Sequence, residues 1–246
     1  MSQRRILRLS GPDARSFLQG LVTNDVTRID QGLVYAALLT PQGKYLADFF
    51  LLAEGDHVLL DVAAELADGL LKRLSMYRLR AKVEISVSDT QVSRGTGPAP
   101  AGALGDPRHG DMGWRLYGET NGDDDSDWDA IRVARCIPET GIELTSDSFI
   151  LETGFEALNG VDFRKGCYVG QEVTARMKHK TTLRKGVCQV EIDGEAAPGT
   201  PIMRDGKVAG SLFTQSGPLA LAYLRFDRAK GDMSAGDATV RLTHPG

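Results

Sequence analysis

The sequence predicts an α+β protein with antiparallel sheets and a small C-terminal β-barrel. Three observations predict it. Up to Val87 the hydrophobic pattern runs strand, helix, strand, strand, strand, helix, strand, the order of an α+β domain. No Gly-x-Gly-x-x-Gly follows a strand, so the chain does not read as a doubly wound nucleotide fold. Beyond Lys180 the texture changes to short strands parted by glycine and proline turns, the pattern of a small barrel or sandwich.

The elements follow in order. Arg4 to Leu9 has strand character. Ser10-Gly11-Pro12-Asp13 then reads as a helix start, with Ser10 as cap, Pro12 in the first turn and Asp13 completing an S-x-x-D pattern. Ala14, Phe17, Leu18 and Leu21 hold helical spacing and should face the core. Leu33 to Leu39 and Lys44 to Leu52 are apolar strands on either side of Thr40-Pro41-Gln42-Gly43, a hairpin by its turn chemistry. Asp48 interrupts the second of them and is costly to bury without partners, so simple alternation would put it on a wet face. His57 to Val62 is another strand. Ala63 to Leu79 is a helix with Leu66, Leu70, Leu74 and Tyr77 on one stripe. Its basic residues Lys72, Arg73, Arg78 and Arg80 suit the dipole at its C-terminal half and need no ligand. Val83, Ile85 and Val87 alternate as a half-buried strand. Ser93 to Gly105, rich in Gly, Pro and Ala, reads as a loop or hinge. Asn121 to Asp129 carries five aspartates and reads as a solvated loop leading into a helix from Trp128 that ends before Pro138. In the last part, strands are expected at Gly186 to Ile192, Lys207 to Phe213, Ala220 to Phe226 and Thr239 to Leu242.

Composition bounds the function. The chain has 246 residues, 41% of them hydrophobic and 25% charged, with a net charge of −4, ordinary values for a globular protein that give no support for general nucleic-acid binding. No apolar run approaches the roughly 18 residues of a membrane span. Met1-Ser2-Gln3-Arg4-Arg5 leads straight into a strand without a signal-peptide core, so a cytoplasmic protein is expected. The three cysteines, Cys136, Cys167 and Cys188, include no CxxC pair. That argues against a disulfide framework, a zinc ribbon, or a four-thiolate iron–sulfur cluster enclosed by this chain alone. No metal site is expected.

The chemistry concentrates in Arg164 to Lys180. Gly166 and Gly170 frame Cys167 in a turn, and Gln171 to Met177 reads as a helix. Cys167 then lies just upstream of a helix N-terminus with Arg164 and Lys165 nearby, surroundings that favour a thiolate; the plain alternative is a small buried hydrophobe in a tight turn. A thiol enzyme with Cys167 as nucleophile needs a histidine base, and the spacing of His57, His109, His179 and His244 identifies none.

Lys165-Gly166-Cys167-Tyr168-Val169-Gly170-Gln171-Glu172, with Arg176, resembles the signature of the YgfZ family of folate-binding proteins, which are implicated in iron–sulfur cluster assembly and repair and related to the aminomethyltransferase (T-protein) of glycine cleavage. The opening Gly11, Asp13, Ala14, Phe17, Leu18, Gln19, Gly20, Thr23, Asn24, Asp25 is similar to that of T-proteins, and Asp106-Pro107-Arg108 with Gly113 and Arg115 to a YgfZ segment. The resemblance implies a T-protein-like folate-binding region with antiparallel, ferredoxin-like sheet elements over 1–182, a possible subdomain boundary near 93–105, and a C-terminal barrel over 183–246. It implies tetrahydrofolate or a derivative as cofactor, and iron–sulfur assembly proteins or client enzymes as partners. Asp48 falls at the T-protein catalytic position, so it and Cys167 are the expected catalytic residues. Asp48, Arg108, Lys165, Gln171, Glu172 and Arg176 are the expected folate contacts. The chain departs from T-proteins at Arg132-Val133-Ala134-Arg135-Cys136, where Ala134 stands in place of the pterin-reading glutamate; Glu152, Glu156 and Glu172 are the candidates to replace it. Two functions follow: an iron–sulfur assembly accessory that binds tetrahydrofolate, or a folate-dependent aminomethyl or one-carbon transferase.

Overall fold

The structure, a computed structural model, describes residues 3–120, 122–180 and 182–243. Its elements in chain order are β1 (Arg4–Ser10), α1 (Ala14–Gln19), β2 (Val34–Leu39), β3 (Tyr45–Glu54), β4 (His57–Ala63), α2 (Ala64–Tyr77), β5 (Glu84–Ser88), β6 (Gln91–Gly95), β7 (Leu104–Gly105), β8 (Trp114–Gly118), β9 (Gly122–Asp123), α3 (Trp128–Arg135), α4 (Gln171–Lys180), β10 (Lys185–Asp193), β11 (Pro201–Arg204), β12 (Lys207–Ser216), β13 (Leu219–Arg225), β14 (Met233–Ala235) and β15 (Ala238–Leu242). They group into two compact units, Ser2–Ser126 with Glu156–Ala175, and Asp127–Phe155 with Arg176–Gly246.

In the first unit, β2-β3-β4-β1-β5 form an antiparallel sheet. Period-two alternation divides its side chains between two faces. Leu7 and Leu9, Val34, Ala36 and Leu38, Ala47, Phe49 and Leu51, and Val58, Leu60 and Val62 pack against α1 and α2 through Ala14, Leu18, Ala67, Leu70 and Leu74. Each large side chain buried there contributes about 1.5–3 kcal/mol. The opposite face carries Arg4, Tyr35, Asp48, Phe50 and Asp61. It is not wet: Asp48 is 6% exposed and Asp61 0%. The segment 106–117 covers it, which overturns the wet-face expectation for Asp48.

Local departures from the sequence reading have physical causes. Helix α1 starts at Ala14 because Ser10 still pairs in β1 and Asp13, the N-cap residue, turns its carboxylate onto the Lys82 backbone N–H at 2.8 Å. The loop expected over 93–105 loses both ends to pairing: Ser93, Arg94 and Gly95 lie opposite Leu116, Arg115 and Trp114, and Leu104 and Gly105 opposite Arg115 and Trp114. These strands form a second sheet of order β7-β8-β6-β9. Asp123 belongs to it and pairs with Arg94, while Asp124 accepts from the backbone N–H of Thr96 and Ser126, so the aspartate run is only partly a solvated loop. Asn121, the first residue of that run, lies outside the described residues. Val87, expected half-buried, is exposed.

In the second unit, Asp127 caps α3 by accepting the Ala130 N–H at 2.9 Å. Arg132, 1% exposed, donates to Ile137 O, Glu143, Asp129 and Thr214 Oγ1 at 2.9–3.1 Å, and so ties α3 to β12. The barrel closes in the order β10-β13-β12-β11-β14-β15, around Val190, Ile202, Leu212, Ala222, Leu224 and Val240. The short strands β11 and β14 escape periodicity because so few residues leave nothing to count.

Candidate functional site

Asp48 sits mid-strand on β3, and the fold supplies the partners that burial demands. The Tyr45 hydroxyl donates to its Oδ1 at 2.5 Å and the Tyr35 hydroxyl to its Oδ2 at 3.0 Å. Tyr45 and Asp48 are three positions apart, which on a regular strand would put them on opposite faces. The register of β2 and β3 shifts between Leu38 and Leu39, where one residue of β2 faces two steps of β3, and this brings Tyr45 round to Asp48. Burial, and then the charge of Asp48, push the Tyr35 hydroxyl well above the ordinary phenol range, so it stays a donor.

Beside this cradle, Arg108 is buried and bonded to Asp106 through Nε at 3.0 Å and Nη2 at 2.8 Å. Its guanidinium lies over the Phe50 ring at 5.0 Å and the Tyr35 ring at 5.6 Å. Burial alone would raise the Asp106 carboxyl; Arg108 and Arg115 beside it outweigh that and hold it well below the usual range. On the neighbouring strand Asp61 accepts from Arg4 Nε at 2.7 Å, Arg115 Nη1 at 3.0 Å and the Tyr117 hydroxyl at 2.8 Å.

The segment bearing Cys167 is tied to the same unit by several unrelated contacts. Lys165, 8% exposed, turns its ammonium inward to the carbonyl of Gln19, the last residue of α1, at 2.8 Å and to Val22 O, just beyond the helix, at 2.6 Å. Burial lowers its pKa to about 8. Thr23 donates to Gly160 O at 2.7 Å and accepts from Ala37 N at 2.8 Å. Asn24 donates to Tyr35 O and Asn159 O at 2.8 and 2.7 Å. Asn159 donates in turn to Pro107 O at 2.9 Å. Thus Thr23-Asn24 joins β2, the 159–160 turn and, through it, the Asp106-Pro107-Arg108 element.

Two glycines complete the docking. A Cβ on Gly170 would stand 2.7 Å from Thr40 O and one on Gly43 would stand 2.9 Å from Val173 Cβ, while both residues hold positive φ, +84° and +76°. The turn between β2 and β3 therefore receives the start of α4 at a distance that only glycine permits. Cys167 is left exposed on this fixed segment. The other two thiols lie elsewhere and are poor nucleophiles: burial pushes Cys136 up to about 11 and Cys188 to about 12.

Of the residues expected to contact folate, Asp48, Arg108 and Lys165 are buried, while Gln171 is half-buried and Glu172 and Arg176 are exposed along α4. Arg108 and Lys165 spend their charges on protein partners. Ala134 is exposed; Glu152 is buried and accepts from the Tyr223 hydroxyl at 2.6 Å, and Glu156 is exposed. His244 lies outside the described residues. Sequence reasoning missed Tyr35, Tyr45 and Asp61, and gave Asp106 no role beyond its place in the Asp106-Pro107-Arg108 element. The one signal for the tyrosines was the cost of Asp48 itself, which required partners without saying where they stood.

The chain aligns with the mouse protein "Iron-sulfur cluster assembly factor IBA57, mitochondrial" at 32% identity over 94% of its own length and 78% of the relative's. It belongs to the IBA57 family of iron–sulfur cluster assembly factors. The human IBA57 factor is 29% identical over 94% of this chain and 78% of its own length, and the Neurospora crassa homologue 30% over 85% and 56%. Residues 184–246 match the family described as CAF17, C-terminal beta-barrel domain. A crystal structure of glycine cleavage system aminomethyltransferase T from Bartonella henselae superposes with a TM-score of 0.76, covering 99% of this chain and 83% of that one at 13% identity. The aminomethyltransferase-like fold and the C-terminal barrel expected from sequence are therefore shown. The expected cytoplasmic location is overturned, since these IBA57 relatives are named as mitochondrial factors.

Proposed function

We propose that this IBA57-family protein binds tetrahydrofolate or a derivative as an accessory of iron–sulfur cluster assembly or repair, with Cys167 as its working thiol. The observation that carries the reading is that one compact unit holds a buried carboxylate, Asp48, on the same hairpin whose turn docks the Cys167 segment through Gly43 and Gly170. The donor set suits a reduced pterin. A carboxylate in a cradle of phenol hydroxyls is a chemical match for ring N–H donors. In this reading Asp48 contacts the pterin and Gln171 and Glu172 supply polar contacts from the first turn of α4. Arg108 and Lys165 hold the walls through Asp106 and the Gln19 and Val22 carbonyls. The folate would supply one-carbon chemistry or a redox-active ring; the chain supplies orientation, exclusion of water and the thiol. Iron–sulfur assembly proteins or client enzymes are the proposed partners.

Anaerobic calorimetric titration with tetrahydrofolate tests the folate half. Binding should saturate, weaken at least tenfold in Asp48→Asn and survive in Cys167→Ser. Absence of binding by the unaltered protein would end the folate reading. The thiol half is tested by complementation: Cys167→Ser should fold yet fail to restore iron–sulfur enzyme activity in a host lacking its own factor, and full rescue would remove Cys167 from the mechanism. A second reading, a folate-dependent aminomethyl or one-carbon transferase, is favoured by the place of Asp48. Turnover of an aminomethyl donor that is lost in Asp48→Asn and kept in Cys167→Ser would select it.

A further inference from the structure

The end of α2 exposes side chains that neither folding nor the folate site employs. Leu79 is 88% exposed and Met76, one turn earlier, 60%. Lys72, Arg73, Arg78, Arg80 and Lys82 share their stretch of chain with no acidic residue anywhere from 72 to 82, and among the described residues none of the five forms an ion pair. The helix dipole accounts for cations there, but not for two bare apolar side chains. Nor does it account for the backbone. Leu79 follows the helix cap at the position where glycine commonly ends a helix, and it holds the left-handed conformation at φ +44°. A leucine there is strained by its Cβ.

The tip is nonetheless built firmly. Arg78 N–H donates to Leu74 O at 3.0 Å and Ala81 N–H to Arg78 O at 2.8 Å, and the Arg78 guanidinium reaches Val83 O at 3.3 Å. The Asp13 carboxylate holds the Lys82 N–H, and Gly11 lets the chain pass so close that a Cβ there would stand 2.3 Å from Lys82 O. This is a fixed projection and no frayed helix end. It presents one leucine between Arg78 and Arg80, cations that form no ion pair among the described residues, on a chain whose net charge is −4.

We propose that this tip is a docking knob for a partner protein, Leu79 and Met76 filling a shallow apolar pocket rimmed by Asp and Glu on that partner. Charge complementarity decides the class of occupant: five unpaired cations select an acidic rim, and a desolvated apolar centre within a charged rim is the common anatomy of a protein interface. A lipid surface fits less well. Ala67, Leu70 and Leu74 of α2 are spent on the core, so the helix offers lipid no continuous apolar face. Docking at Leu79 is independent of folate binding, so a variant that binds tetrahydrofolate yet fails to complement separates the two.

The test places a benzophenone amino acid at position 79 of the full chain in a complementing host. Irradiation should join it to a peptide of another protein rich in Asp and Glu, and R78E/R80E should lower the adduct at least tenfold. An adduct with lipid, with a peptide lacking acidic residues, or insensitive to R78E/R80E overturns the proposal, as does no adduct. Leu79→Gly guards against a merely structural role. Glycine relieves the strained φ, so the melting temperature should hold or rise while complementation falls. A lower melting temperature, or full complementation, would overturn the knob. Flotation with phosphatidylcholine–phosphatidylserine vesicles that R78E/R80E abolishes would assign the tip to a membrane instead.

Discussion

Two carboxylates on adjacent strands of one sheet are both buried, in different company. Asp61 is closed off completely, with two guanidinium groups and a phenol bonded to its oxygens, and the Arg4 side chain bonds its backbone carbonyl as well. Burial would raise its carboxyl, but Arg4 and Arg115 more than offset this and keep it below the ordinary value. Asp48 accepts hydrogen bonds from the hydroxyls of Tyr35 and Tyr45, with the charges of Arg4 and Arg108 acting on it as well. A carboxylate locked between guanidinium groups joins one sheet to the next, through Arg115 and Tyr117 of β8, and has nothing left to offer a ligand. Two buried carboxylates therefore differ in the chemistry of their donors, and the proposed folate site assigns the ligand to the one held by hydroxyls.

The comparison breaks first at Asp61. Asp61→Ala removes the ion-pair carboxylate of the buried Arg4 and leaves Arg115 with Asp106 alone, and should cost about 3–5 kcal/mol, read from urea unfolding. A loss as small as that of an exposed pair would make Asp61 no hub. The same cluster sets an acid limit. Asp61 and Asp106 both have depressed folded-state values, so the stability they contribute is full above their unfolded value near 4. It is lost as pH falls below that, visible as a lower melting temperature that D61N/D106N no longer shows.

Gly170→Ala comes next. Its Cβ would meet Thr40 O and its φ would be strained, so a loss of about 2–4 kcal/mol is expected by unfolding, with release of the Cys167 segment detected as faster hydrogen exchange at 165–170. Lys165→Met should cost about 1–2 kcal/mol at pH 7 through two unsatisfied carbonyls. Its pH dependence sharpens the point. With a folded value of about 8 below the unfolded value near 10.4, the unfolded chain binds more protons between them. Stability from this group therefore rises from pH 8 towards pH 10, and Lys165→Met should lack that rise when the two proteins are unfolded in parallel. Asp48→Asn preserves shape and should change stability by only about 1 kcal/mol while weakening tetrahydrofolate at least tenfold, the reverse of Asp61→Ala. Smallest of all, Cys167→Ser on an exposed site should shift stability within about 0.5 kcal/mol.

The sequence by itself determined the elements and the chemistry-bearing segment. Periodicity placed the strands and helices of the first unit, because a sheet and a helix each bury one face and so write their period into the chain. Glycine and proline spacing announced the barrel. The run around Cys167 was legible because its residue types are unusual together, and Asp48 because a carboxylate interrupts an apolar strand. Tertiary structure alone decided what those residues do to one another. Tyr45 reaches Asp48 only through a one-residue slip in the β2–β3 register, and Lys165 turns inward to carbonyls at the end of α1 and just beyond it. Arg108 is spent on Asp106, and Leu79 is left bare by a left-handed turn. The physical reason is common to all four. A side chain's period records which face it takes, whereas its partner is chosen by contacts that join residues far apart in the chain, and no local pattern records those.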